Sequence, residues 1–433
     1  MKITKIINPL VFVLLASLFV SCNNQDIKIT APKDYNAFLE VGDNKNLELA
    51  LEDLKFWKEK LEKTPNQFPF LVKVSASQSQ IFEVTGKIES LKEAEENLLK
   101  ANRAVNYMNS GYLRALARNY ISQHKFKEAL ELLKKAEDIG EHLKSTQKML
   151  FDVHLEIGGF DTAKAYLDTF KDFSDFDYLI RLSKWSDHRG DLDAAIKYME
   201  RAKTMAESTN IPATKKWVYT NLADYYGHAG NIEDSYNLYL KALEIDPQDA
   251  YSKKGIAWIV YSYEKNPEEA LRILDYAVKA HQSPDYYLLQ AEIAEYLKDD
   301  KMKHEQLALY KKAVSNTLYG DMYNKYNVLL FAEDDENKAK ALEIALTEIT
   351  NRPTPQSYDL LAWSYFNLGK YKKAMSIMEE HVVGKTSEPD VLYHLAEIYK
   401  VNKKLKKCEK VRKELDSSIF ELGPIMALKI NNI

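Results

Sequence analysis

The spacing of small residues constrains this chain more than any other feature. Ala94, Ala129, Ala163, Ala195, Ser235, Ala270, Ala341, Ala374 and Cys408 each anchor a short amphipathic stretch, as in FKEALELLKKA (Phe126–Ala136). An apolar or aromatic residue follows four positions on, and often another alanine seven on. Successive anchors are 35, 34, 32, 40, 35, 71, 33 and 34 residues apart. The step of 71 holds two units, the hidden one being the degenerate DDKMKHEQLALYKKA (Asp299–Ala313). Apolar spacing of three and four within each stretch predicts a helix. A unit of this length has room for two helices, and the small anchor lets one backbone approach its neighbour. With 433 residues the chain exceeds one ordinary domain, and its 14 glycines and 12 prolines are too few for an all-β fold rich in tight turns.

The first helix of each unit carries a second pattern. It is clearest in YLRALARNY (Tyr112–Tyr120), YTNLADYY (Tyr219–Tyr226), YDLLAWSY (Tyr358–Tyr365) and LYHLAEIY (Leu392–Tyr399). Gly158, Gly190, Gly230 and Gly369 fall at the turns between helices, and Pro247, Pro284, Pro353 and Pro389 close units. On these residues, 66–415 resembles the tetratricopeptide repeat family. The resemblance implies an all-α fold, a right-handed α-solenoid of about ten helix pairs. The step of 40 predicts longer helices and a longer connection near MAESTNIPATKKW (Met205–Trp217). The helically spaced Leu47, Leu51, Leu54, Trp57 and Leu61 predict a capping helix within 47–65, and 416–433 should cap the other end, because an open apolar end face invites aggregation.

The opening residues have a different character. Lys2 and Lys5 precede an uncharged, mostly apolar run from Ile6 to Val20, shorter than a comfortable membrane span. The run ends in FVSC, which resembles a bacterial lipobox, with Phe19 where leucine is usual. That resemblance implies a signal peptide over 1–21, a lipid on Cys22 and a lipid-anchored protein of the bacterial cell envelope. An ordinary secretory signal and an uncleaved anchor are the alternatives. Residues 22–46 are polar and poorly periodic, and read as a tether between membrane and folded body.

No pattern for chemistry emerges. The nine histidines show no metal-ligand spacing, and neither a phosphate-cradling glycine loop nor GxSxG is present. Cys22 and Cys408 are too far apart to suggest a zinc site or a disulfide framework, and Cys408, at an anchor position, reads as a small buried thiol. The expectation is a non-enzyme without cofactor or metal. A net charge of -4 supplies no basic field for nucleic acid.

Function then belongs to the surface. In the family, certain first-helix positions line a concave groove that holds peptides. Carried over, they give a basic strip, Arg114, Arg118, Lys148, Arg181 and Lys184, and an aromatic group, Trp217, Tyr251, Trp258, Tyr261 and Trp363. The strip suits an acidic segment of a protein partner, unless Asp152 and Asp177, also at groove positions, neutralise it. The tryptophans either face the groove or pack between units. The carboxylate clamp of chaperone-binding members is not present, since the matching places hold Arg114, Arg118 and Met149. The leading expectation is a membrane-anchored protein-binding scaffold. Capture of a nutrient or glycan beside an outer-membrane transporter, and a role in outer-membrane assembly, are the alternatives.

Overall fold

The computed structural model describes residues 28–40 and 42–433. Cys22 and the lipobox-like stretch lie outside the described residues. Among those described there is no strand, and no helix is long and apolar enough to cross a membrane. Two helices, α1 (Pro32–Leu39) and α2 (Lys45–Lys63), precede ten consecutive pairs. The pairs are α3/α4 (Phe68–Thr85, Ile88–Ala104), α5/α6 (Ser110–Ser122, Phe126–Ile139), α7/α8 (Leu143–Glu156, Phe160–Thr169) and α9/α10 (Phe176–His188, Leu192–Glu207). Then come α11/α12 (Pro212–His228, Ile232–Ile245), α13/α14 (Ala250–Trp258, Pro267–Ala280) and α15/α16 (Asp285–Tyr296, Asp300–Val314). Last are α17/α18 (Asn324–Ala332, Lys338–Asn351), α19/α20 (Pro355–Asn367, Tyr371–His381) and α21/α22 (Pro389–Val401, Leu405–Leu415), followed by α23 (Ile419–Ile430).

Local chemistry explains the boundaries. Side-chain oxygens of Asn109, Asp191, Asp249, Asp299 and Thr354 accept from the first free backbone N–H groups of α5, α10, α13, α16 and α19. Each such cap is worth about 1 kcal/mol. The seven anchor alanines are wholly buried, and Ser235 and Cys408 nearly so. They sit where second helices cross first helices, so the alanine spacing is a packing requirement. The long unit is made by α10 and α11, of 16 and 17 residues.

The solenoid closes on itself, which the sequence analysis did not anticipate. Gln282 N–H donates to Thr85 O at 2.8 Å. Asn316 donates to Glu89, 227 residues away, at 3.2 Å. Arg352 lies 3.5 Å from Glu156 and over the Phe126 ring. Ile88 and Leu91 of α4 pack with Tyr319 from the irregular turn SNTLYGDMY (Ser315–Tyr323). The seam joins the first four pairs to the connections that lie between α14 and α21, so one superhelical turn rests on the next. Gly158 is needed there twice over. Its φ is +78°, and a Cβ would stand 2.9 Å from Pro353 O across the seam.

Residues 29–39 are not a free tether. Ile29 and Thr30 donate backbone N–H groups to Glu264, and Tyr35 donates its hydroxyl to Glu269 at 2.6 Å. Tyr35 and Leu39 are buried against α12 and α14. The stretch looked aperiodic because its helix is only eight residues long, too short to display an apolar repeat. α2 packs on α3 through Ala50 and the contact of Trp57 with Phe70, leaving Leu51 about half exposed.

Candidate peptide groove

First helices form the inner layer of the stack. A cavity of about 750 Å³ is walled by α3, α11, α13 and α15, with Asn44 and Asn46 at its rim. α3 reaches it only because the seam brings the first pair beside α14 and α15. Trp217 from α11 and Tyr251 from α13 line this cavity and are 42% and 51% exposed. Around them stand the carboxylates Glu83, Asp246, Asp249 and Asp285, and the ammonium groups of Lys216 and Lys254. Lys216 pairs with Asp246 at 2.7 Å and Asp249 at 2.9 Å, and Lys254 with Asp285 at 2.5 Å. Burial lowers the affinity of both lysines for protons, but these carboxylates outweigh it and raise both pKa values. Glu83 keeps solvent exposure, but partial desolvation by the walls around it pushes its carboxyl up, against the attraction of Arg118 and Lys216. Burial likewise holds His281 below the usual imidazole range. Four carboxylates against two ammonium groups leave the wall net acidic.

The hollow continues along the inner layer. A space of about 160 Å³ lies between Tyr251, Lys254, Trp258 and Leu289. The next, of about 110 Å³, is lined by Gly227, His228, Trp258 and Phe420. Asp224 sits between them. Burial raises its pKa, while hydroxyl donation from Tyr239 and Tyr251, the latter at 2.6 Å, opposes the rise.

The structure separates the expected groove residues into three groups. Trp217 and Tyr251 share the large cavity. Trp258 is half-buried, and its indole N–H is already engaged by Phe420 O at 3.1 Å. Tyr261 and Trp363 are corrections, for both are buried and cannot meet a partner. Tyr261 lies inside a π-helical turn, Ile259–Tyr263, that continues α13. Its hydroxyl donates to Glu292, and its ring belongs to the core. Trp363 stacks between units, its ring 4.8 Å from Phe366 and 4.0 Å from His394.

The basic strip is largely spent on the chain's own carboxylates. Lys148 pairs with Asp175 at 2.7 Å and Asp177 at 2.9 Å. Arg181 directs two nitrogens at one Asp152 oxygen, at 2.7 and 3.2 Å. Lys184 meets Glu156 at 2.9 Å, and Arg352 approaches the same carboxylate from across the seam. Arg114 donates to Glu141 O and to Thr146. Arg118 is exposed and has no ion pair within 4 Å among the described residues. Sequence reasoning passed over Lys216, Lys254, Asp224 and Tyr286. Their first-helix positions were a usable signal, whereas nothing local marked Glu83, which the seam delivers.

A family model described as tetratricopeptide repeat matches residues 218–249. A second, described as the C-terminal part of a virulence factor membrane-bound polymerase, matches residues 285–383. No curated protein matches the chain. Among solved structures, pilF of Pseudomonas aeruginosa is 16% identical with a TM-score of 0.37, over 49% of this chain and 96% of that one. A tetratricopeptide repeat protein from Parabacteroides merdae is 17% identical with a TM-score of 0.38, over 57% and 92%. Human IFIT1, solved as a dimer with m7Gppp-AAAA, is 13% identical with a TM-score of 0.47, over 75% of each chain. The tetratricopeptide repeat signature is matched at α11/α12 and the same helix pair recurs on either side, so the described residues form an all-α solenoid similar to tetratricopeptide repeat proteins.

Proposed function

We propose that the protein is a non-enzymatic scaffold that holds an extended segment of a partner protein in its inner groove. The observation that carries this reading is the exposure of Trp217 and Tyr251 inside the 750 Å³ cavity. Its volume lies within the range of ordinary ligand sites, and aromatic side chains dominate binding energy at protein interfaces. The acidic wall favours a segment bearing lysine or arginine, which could also stack on the exposed rings. An acidic segment on the basic strip loses ground, because most of those cations are already paired.

The scaffold is further proposed to sit at a bacterial envelope membrane through a lipid on Cys22. Ile29, docked on Glu264, is seven residues from Cys22. Seven residues span at most about 25 Å, so the α12/α14 face would lie close to the bilayer. Glycan capture has one observation in its favour. Asn44, Asn46, Gln80, Asn221 and Gln248 surround the aromatic rings, and carboxamides suit sugar hydroxyls.

Site-specific photo-crosslinking tests the reading. A benzophenone amino acid is placed at position 217 or 251, and in a control at the exposed outer residue Leu309. The account expects one protein segment, rich in basic residues, linked from both inner positions and not from 309. Equal labelling from all three positions, or a glycan-array signal with no protein adduct, would contradict it.

A further inference from the structure

The far end of the groove is already filled by the chain itself. α23 touches α11, the π-turn after α13, α15 and α21 of the inner layer, and also packs on the preceding helix α22. It consists of two short helical pieces joined at one non-helical residue. Gly423 has φ 82° and ψ 169°, and Pro424 follows, so the segment bends sharply in the middle. Phe420 makes the contact. Its carbonyl accepts from Trp258 Nε1 at 3.1 Å and from Ser262 Oγ at 2.6 Å. Trp258 precedes the π-turn and Ser262, four residues on, lies within it; such turns are common at functional sites. The Phe420 ring lies over Gly227, where a Cβ would stand only 3.0 Å from it. Two donors converging on one main-chain carbonyl, with an aromatic notch beside them, form a peptide subsite.

This subsite is continuous with the open cavity, because Trp258 borders both smaller hollows and Tyr251 borders both the middle and the large one. We propose that Ile419–Ile430 is a displaceable internal occupant of the groove, and that the outside ligand is an extended peptide whose aromatic residue takes the place of Phe420. The proposal rests on the groove reading above and adds the class of ligand and the contact that it must displace. Occupation by the chain's own segment reduces the apparent affinity for an outside peptide by the fraction of molecules in which the subsite is free.

The probe is a fluorescent peptide with the sequence of residues 416–433, added to the full-length chain and followed by anisotropy. Full-length Phe420→Ala is expected to bind it at least tenfold more tightly than the wild type. Adding Trp258→Phe and Ser262→Ala to that variant is expected to abolish the gain, as is replacing phenylalanine by alanine in the peptide. If Phe420→Ala melts like the wild type yet takes the peptide no more tightly, or takes the alanine peptide equally well, the proposal is overturned. Should Phe420→Ala unfold, hydrogen exchange on the wild type decides. Amides of 419–430 should exchange well before those of α21 and α22, and equal protection would make the segment a fixed part of the core. Crosslinking at positions 217 and 251 reads the open end independently. A partner adduct there without peptide exchange defeats only the occupant, and peptide exchange without an adduct defeats only the partner reading.

Discussion

Glu292 shows how much one residue on the inner layer depends on its surroundings. Burial raises its pKa from 4.5 to about 7; the hydroxyl of Tyr261 and the charge of Lys429 oppose the rise, and Glu295 adds to it. A carboxyl with a raised folded-state pKa binds its proton more tightly folded than unfolded. Its contribution to stability is therefore complete below about pH 4.5 and is lost as pH climbs through about 7. Glu292→Gln should match the wild type near pH 4 and exceed it by about 1–3 kcal/mol near pH 8. Thermal melts at the two pH values check this, and an equal difference at both would contradict it. Glu388 is solvent-exposed, yet partial desolvation and the neighbouring Asp390 raise it too, which leaves some pH dependence in the variant.

The anchor alanines were legible at this scale because their burial follows from a local rule, one small residue per crossing. Tyr261 and Trp363 were not. A first-helix aromatic faces the groove or the next unit according to less than a quarter-turn of rotation, and a 3.6-residue period does not resolve that. The π-turn at Ile259–Tyr263 inserts one residue into the helical count and so re-aims every side chain within it.

At the scale of elements, the basic strip is a set of ties between neighbouring first helices. Lys148 of α7 reaches the start of α9, and Arg181 and Lys184 of α9 reach back to Asp152 and Glu156 of α7. These ties fix the angle between successive units. Reversing Arg181 would set a carboxylate against Asp152 and Asp177. Arg181→Glu should therefore cost about 1–3 kcal/mol, while leaving crosslinking from position 217 unchanged. Chemical denaturation of the variant checks the first part. An unchanged midpoint with lost crosslinking would restore the strip as a binding surface. The charges were readable in sequence, and so were the neutralising Asp152 and Asp177. Only the structure shows that the pairs are made. The docking of α1 was hidden for a related reason, since its partners Glu264 and Glu269 lie more than 230 residues away.

At the scale of the whole molecule, a repeat frame specifies how each unit sits on the next, and small rotations accumulate into a superhelix. Whether the turns then touch depends on pitch, which no single unit encodes. The one local hint was the irregular Ser315–Tyr323 connection, which proves to be the surface that Ile88 and Leu91 rest on. Closure turns an open concave face into a walled groove, brings Glu83 to the cavity and places α23 among first helices from distant units. The groove reading depends on it.

The seam is therefore the direct target. Glu89 and Asn316 meet across it at an exposed contact, 227 residues apart in the chain. In a full-length chain carrying Glu89→Cys and Asn316→Cys, with Cys22 and Cys408 changed to serine, a short bismaleimide should join the two turns. The account predicts a monomeric, faster-migrating species formed by the native protein and not by the urea-denatured one. Failure to form that link in a natively folded chain would mean an open solenoid in solution, and would contradict the enclosed groove.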